Sequence, residues 1–332
     1  MNRRDVIGLG LTTSVSVLAF GLGPALAQAK LVLKSSDVHP FGYPTVEAVK
    51  SMGEKLAKET NGRLTIQIFP SMQLGGEKEM IEQAQVGALA MARVSVGPMG
   101  PIVDDLNVFS LPFVFRDIAH MRKVVDGPVG QDMLDRVTNH PRAGLVGLCW
   151  MDAGARNIYN SKHPVRSVAD MKGLKIRTMG NPIFVEMVNS LGGNGVAMGF
   201  DQLINAMQTG IVDGAENNYP SYANGQHYRY AKHYSQTEHL ILPEILLFSK
   251  RIWETLAKED QALLKKVARE AQFEARKLWD EMEQKALTQM KEAGVEVITF
   301  QDKKPFQDAV KPVWDKYGAK YADMVARIQE VK

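Results

Sequence analysis

Cysteine is all but missing: the 332 residues contain one, Cys149, which excludes an internal disulfide and a cysteine-built zinc site together. A surplus of charge is missing too. Lysine and arginine number 40 against 37 acids, a formal net charge of +3, too little to make a basic field for nucleic acid or an anionic membrane. After the N-terminal segment no stretch approaches the roughly 18 apolar residues that a membrane-spanning helix needs. Catalytic signatures are sparse as well. There is no nucleophile elbow and no phosphate-binding loop. His227 and His233 stand six apart, not at the spacing that puts two imidazoles on one helical face. Gly192-Gly193-Asn194-Gly195 lacks the flanking strand and helix of a dinucleotide site, and Gly97-Pro98-Met99-Gly100-Pro101 is loop punctuation. Cys149, in Val146-Gly147-Leu148-Cys149-Trp150, reads as a small buried side chain. No cofactor and no metal is expected.

What is there begins with an export signal over residues 1–29. Asn2-Arg3-Arg4 is a positive start, Val6 to Gly23 an apolar stretch interrupted by glycine, serine and threonine, and Ala25-Leu26-Ala27 or Ala27-Gln28-Ala29 a small-x-small cleavage site. The paired arginines fit a twin-arginine signal as well as an ordinary secretory one. Either implies a periplasmic protein whose mature chain starts near Gln28 or Lys30.

The rest has the composition of a soluble globular chain, 45% hydrophobic and 23% charged, long enough for two domains. Lys30 to Ser35 alternates as a strand, Tyr43 to Thr60 has helical spacing, Asn61-Gly62 turns the chain, and Leu64 to Phe69 is a second strand. A helix from Glu77 to Gln85, then Gly87, leads to a short strand through Met91. The second half repeats the alternation: strand Leu174 to Thr178, helix Pro182 to Leu191, helix Asp201 to Gln208, Gly210, and strand Ile211 to Ala215. Overlaid at constant offset, Ile81, Gln85 and Gly87 match Ile204, Gln208 and Gly210, which suggests two lobes of like construction. Glu254 to Glu292 is a long amphipathic helix with a stripe through Leu263, Val267, Ala271, Ala275, Leu278, Met282 and Ala286, able to back both lobes. It is followed by strand Val295 to Phe300. The expected class is α/β, a two-lobed binding protein with mostly parallel sheets flanked by helices. The first lobe comprises 30–153 with 243–280, the second 154–242 with 281–332.

Polar residues stand at predicted strand ends: Arg93, Arg156, Arg177, Asn217 and Asn218. In open α/β sheets such positions face a ligand crevice, although a single arginine is more often a surface or structural ion pair.

Gly173-Leu174-Lys175-Ile176-Arg177-Thr178-Met179, followed by Thr209-Gly210-Ile211-Val212-Asp213-Gly214-Ala215-Glu216-Asn217-Asn218, closely resembles the solute-binding subunits of tripartite ATP-independent periplasmic (TRAP) transporters, the C4-dicarboxylate-binding type. Gln73-Leu74-Gly75-Gly76-Glu77, Leu106 to Phe115 and Ile252-Trp253 carry the same likeness, which spans the mature chain. The resemblance implies two lobes closing over an organic acid, with TRAP membrane subunits as partners and no hydrolysis by the protein itself. It implies that Arg177 pairs with the ligand carboxylate, with Arg156, Asn217 and Glu77 at further family positions; a guanidinium fork matches a carboxylate as a lysine does not. Glu77 has a rival role as a helix cap, and Glu216 as a holder of Arg177 or of a hinge.

Val38-His39-Pro40-Phe41-Gly42-Tyr43-Pro44, Trp150-Met151-Asp152-Ala153-Gly154-Ala155-Arg156 and Asn217-Asn218-Tyr219-Pro220 look like the branch that takes hexuronates. A sugar acid needs one cationic clamp plus donors and acceptors for its hydroxyls, a mix that His39, Glu77, Asp152 and Asn217 supply. The expected ligand-binding set is Arg177, Arg156, Asn217, Glu77, His39, Arg93, Asp152 and Met179. Rival readings are a receptor for a dicarboxylate, keto acid or aromatic acid, and a periplasmic sugar-acid enzyme.

Overall fold

The computed structural model describes residues 30–332; the export segment lies outside the described residues. The strands in chain order are β1 (Leu31–Ser36), β2 (Leu64–Phe69), β3 (Met91–Ser95), β4 (Leu145–Met151), β5 (Ala155–Asn160) and β6 (Lys175–Thr178). They continue as β7 (Asn194–Ala197), β8 (Gly214–Asn217), β9 (His233–Ile241), β10 (Glu244–Ser249) and β11 (Glu296–Ile298).

Two sheets form, ordered β2-β1-β3-β10-β4 and β11-β9-β5-β8-β6-β7. Where strands and helices alternate, pairing is parallel: β1 with β2 and β3, β6 with β7 and β8. The strands that pass between lobes pair antiparallel with their neighbours, β10 with β3 and β4, β5 with β8 and β9. Hence both sheets are mixed. β3, β4 and β10 are buried along their whole length, which is why their sequences run apolar without alternation.

Three connections join the lobes. Asp152-Ala153-Gly154 links β4 to β5, and Leu242-Pro243 links β9 to β10. Gly154 sits at φ +58, and a Cβ there would meet the Trp279 indole nitrogen at 3.0 Å, so backbone conformation and space both demand glycine. The third connection is the 35-residue helix Lys258–Glu292. Its Leu264, Val267, Ala268, Ala271 and Ala275 pack into the core beneath the first sheet, and its Ala286 and Met290 into the core of the second. Trp279 fills the space between, against Tyr43, Val46 and Ala153. The buried stripe runs through Leu264 and Trp279 rather than Leu263 and Leu278.

The C-terminal turns differ from the expected division. Helix Ala322–Glu330 returns to the first lobe: Met324 and Ile328 join a core with Val114, Phe115 and Met121, the Ile328 carbonyl lies 2.9 Å from His120 Nε2, and Arg327 pairs with Asp132 at 2.6 Å. The helix buries a narrow apolar face, and the surface that matches it is on the far lobe. β3 starts at Met91 and β8 at Gly214, later than the sequence pattern suggests, each four residues after a left-handed glycine, Gly87 or Gly210.

Candidate ligand-binding site

Mixed pairing brings unlike strand ends together. Because β5 runs against β8, its first residues lie beside the last residues of β8, with Asn157 in register with Asn217. Likewise β10 begins where β3 ends, Glu244 opposite Ser95. The carboxyl ends of the parallel strands and the amino ends of the crossing strands thus open on the same crevice. A cavity of about 310 Å³ lies there between the lobes, lined by Val38, His39, Glu77, Arg93, Ser95 and Glu244 of the first and Arg156, Arg177, Met179, Phe200, Asn217 and Ser221 of the second.

Three buried arginines face it, in three different states. Arg93 donates from Nε and Nη2 to the Asp37 carboxylate and from Nη1 to Glu244 Oε2, the last at 2.5 Å. Asp37 also accepts from the His39 backbone N–H and from Thr45 Oγ1; although burial pushes its carboxyl up, Arg93 holds it below the usual range. Arg156 donates from Nε and Nη2 to the two oxygens of Glu216 at 2.5 and 2.8 Å and from Nη1 to Asn217 Oδ1 at 2.9 Å. Burial opposes ionisation of Glu216, yet Arg156 and His239 bring its carboxyl down to about 2. Glu216 therefore holds Arg156, not Arg177.

Arg177 is only 2% exposed, and among the described residues its guanidinium has no carboxylate partner. Nε and Nη2 both donate to the Met198 carbonyl, at 3.0 and 2.8 Å, and the Phe200 ring lies 5.8 Å away. Nη1 is left without a protein acceptor, so the Nη1–Nη2 edge keeps its planar pair of donors. Burial, with the Arg156 charge adding to it, depresses the pKa of this guanidinium. Isolated buried charge is costly unless a partner arrives.

Around the arginines the imidazoles are neutral. His39 stacks on Tyr43 with ring centroids 3.6 Å apart, and burial together with Arg93 brings its pKa down to about 3; burial and Arg177 do the same to His227. Glu77 is in the first turn of helix Glu77–Val86, but it does not cap it: its Oε1 accepts from the Ser95 backbone N–H at 2.7 Å. The lobes touch across the cleft through Tyr43 Oη and Ser221 Oγ at 3.0 Å and through Asn181, which donates to the Gly97 carbonyl and to Asn107 Oδ1.

Of the eight residues singled out in the sequence, seven line this cavity. Asp152 does not. It sits in the β4–β5 connection, 2% exposed, with Arg122 Nε at 2.5 Å and Arg276 Nε at 3.3 Å. Both of its oxygens are committed to the interlobe joint, which corrects its assignment as a hydroxyl acceptor. Sequence reasoning missed Asp37, Ser95, Phe200, Ser221 and Glu244. Glu244 left a signal, an acid between the apolar runs Leu240-Ile241-Leu242 and Ile245-Leu246-Leu247-Phe248, where only a paired charge is tolerated. Phe200, on a loop after β7, left none. Among the described residues no cluster of histidine, cysteine and acid is arranged to hold a metal, and burial pushes the Cys149 thiol up to about 12.

The model of one family, bacterial extracellular solute-binding protein, family 7 (DctP), matches residues 35–320. Among solved structures, a TRAP periplasmic solute binding protein from Pseudomonas putida F1 with bound D-glucuronate is 53% identical and superposes with a TM-score of 0.89, covering 91% of this chain and 98% of that one. One from Bradyrhizobium sp. BTAi1 in complex with α/β-D-galacturonate is 47% identical, TM-score 0.87, over 90% and 100%. One from Citrobacter koseri is known in two forms. With bound D-glucuronate it is 46% identical and superposes at 0.89, over 91% and 100%; in its apo, open form it is matched at 44% identity and 0.79, over 90% and 98%. The present conformation is therefore nearer the liganded form. The chain belongs to the family 7 solute-binding proteins.

Proposed function

We propose that this family 7 solute-binding protein captures a hexuronate, D-glucuronate or D-galacturonate, in the periplasm and delivers it to the membrane subunits of a TRAP transporter. The observation that carries the reading is Arg177, a buried guanidinium with an open donor edge and no acid beside it, on the wall of a cavity where the other two arginines are already neutralised. A ligand carboxylate supplies the missing charge in bidentate geometry. The remaining lining suits hydroxyls: His39, Glu77, Asn217, Ser95 and Glu244 offer donors and acceptors, and Met179 and Phe200 offer apolar surface for the carbon faces of a sugar ring. A small dicarboxylate fits less well, since its second carboxylate meets Glu77 and Glu244 with Arg93 already saturated. The uronate-bound neighbours support the same class of ligand.

No part of the site activates a nucleophile, and the protein is read as a receptor that returns its ligand unchanged. A thermal-shift screen over organic acids tests this. A ligand at a hundred times its dissociation constant adds about 2.7 kcal/mol to the folded state, so hexuronates are expected to raise Tm by several degrees and mass spectrometry to recover them intact. A larger shift with malate or succinate, or conversion of the uronate, contradicts the proposal.

A further inference from the structure

The first lobe's cleft wall carries more negative charge than it can neutralise. Arg93 faces three carboxylates there: Asp37 occupies Nε and Nη2, Glu244 takes Nη1, and Glu77 lies 3.7 Å from that same Nη1. Glu77 and Glu244 also share Ser95, whose backbone N–H donates to Glu77 Oε1 at 2.7 Å and whose Oγ donates to Glu244 Oε1 at 3.0 Å. On the facing wall Glu216 neutralises Arg156, and the buried, unpaired guanidinium of Arg177 awaits an anion. A sugar-acid carboxylate at Arg177 cancels that charge. Closure then leaves two surplus negative charges on the first lobe's wall, out of water.

Two carboxylates that share one donor nitrogen in a buried site do not both stay ionised, because desolvation and mutual repulsion favour protonation of one. Asp37 is not that one, since four donors converge on its two oxygens. Burial, reinforced by the charge of Glu77, pushes the Glu244 carboxyl up. We infer that the sugar acid binds together with a proton, which the Glu77–Glu244 pair takes up as the lobes close, and that the protonated carboxyl donates a hydrogen bond to a sugar oxygen. The inference rests on the sugar-acid reading above and deepens it: the pair becomes a donor suited to a polyhydroxy monocarboxylate, and a second ligand carboxylate at that wall would demand a further proton.

Uptake of a proton with the ligand makes affinity rise as pH falls, by up to about tenfold per pH unit for one proton. The charged and titratable groups facing the pair are Asp37 and His39 after β1, Tyr43, Arg93 on β3, Arg156 on β5 and Arg177 on β6. Of these His39 works in the opposite sense. Its imidazole is neutral in the closed cleft, so below about pH 6.5 closure expels a proton from it. The difference between wild type and a Glu77 variant removes the histidine contribution.

The test is calorimetric titration of D-glucuronate at pH 7.5 in phosphate and in Tris, whose ionisation heats differ, with affinities followed from pH 6.5 to 8.5. Wild type is expected to take up on the order of half to one proton per ligand. Glu77→Gln is expected to lose most of that uptake and the rise in affinity toward lower pH. Glu244→Gln gives a second reading should the first variant fail to fold. Tight binding of glucuronate without proton uptake, or uptake unchanged in both variants, overturns the inference and leaves the sugar-acid reading standing. Failure of wild type to bind any hexuronate strikes the reading itself and takes the inference with it.

Discussion

Arg156 and Arg177 look alike in the sequence, each at an expected strand end, and the structure makes them opposites. Arg156 is locked to Glu216, so Arg156→Ala strands a buried carboxylate and is expected to cost about 3–5 kcal/mol of stability, read as a lower midpoint in urea. Arg177→Ala strands nothing in the empty protein. It is expected to leave the urea midpoint unchanged or raised while hexuronate binding weakens by about 2–5 kcal/mol, roughly thirty- to several-thousand-fold by calorimetry. Arg177→Lys is expected to bind poorly too, having charge without the fork. Which arginine is spoken for was not legible, because the partners come from strands far away in sequence. Asp152 was misread for the same reason: its arginines come from helices at 122 and 276. The histidines give a pH signature. His39 and His227 sit near 3 when folded and near 6.5 when unfolded, so the unfolded chain binds more protons between those values. Stability is therefore full above about pH 6.5 and falls below it, on the order of 1.4 kcal/mol per pH unit for each histidine. Urea unfolding at pH 7, 6 and 5 checks this, and His227→Gln is expected to reduce the slope.

Elements were more legible than side chains. Asn61-Gly62, Gly87 and Gly210 punctuate the chain where the sequence pattern places turns, and all take left-handed conformations. The apolar stripe of Lys258–Glu292 was visible within one residue, yet that one residue decides what the helix does. Leu278 is the expected position, whereas Trp279 is the side chain that faces the joint, 1% exposed and in edge contact with Tyr43. Tyr43 in turn stacks on His39 at the cavity. Trp279→Ala should destabilise by about 3–5 kcal/mol and also weaken ligand binding, because the cavity it opens lies behind the His39–Tyr43 stack. A stability loss with unchanged affinity would separate the helix from the site. The return of helix Ala322–Glu330 to the first lobe was not legible, since its narrow apolar face names no particular partner.

At the scale of the molecule, two mixed sheets joined by three connections make a hinge, and the interlobe contacts close it over one free cation. The ligand's differential affinity for this state drives closure, and specificity follows from groups that a wrong ligand leaves unpaired. The most direct measurement is one calorimetric series on the wild-type protein with D-glucuronate or D-galacturonate, the corresponding neutral hexose, and malate. The hexuronate is predicted to bind tightest. The hexose lacks the carboxylate for Arg177, and malate lacks the hydroxyls for the first lobe's wall and sets a carboxylate against Glu77 and Glu244. Malate binding more tightly than both hexuronates, or the hexose binding as well as its acid, would contradict the account.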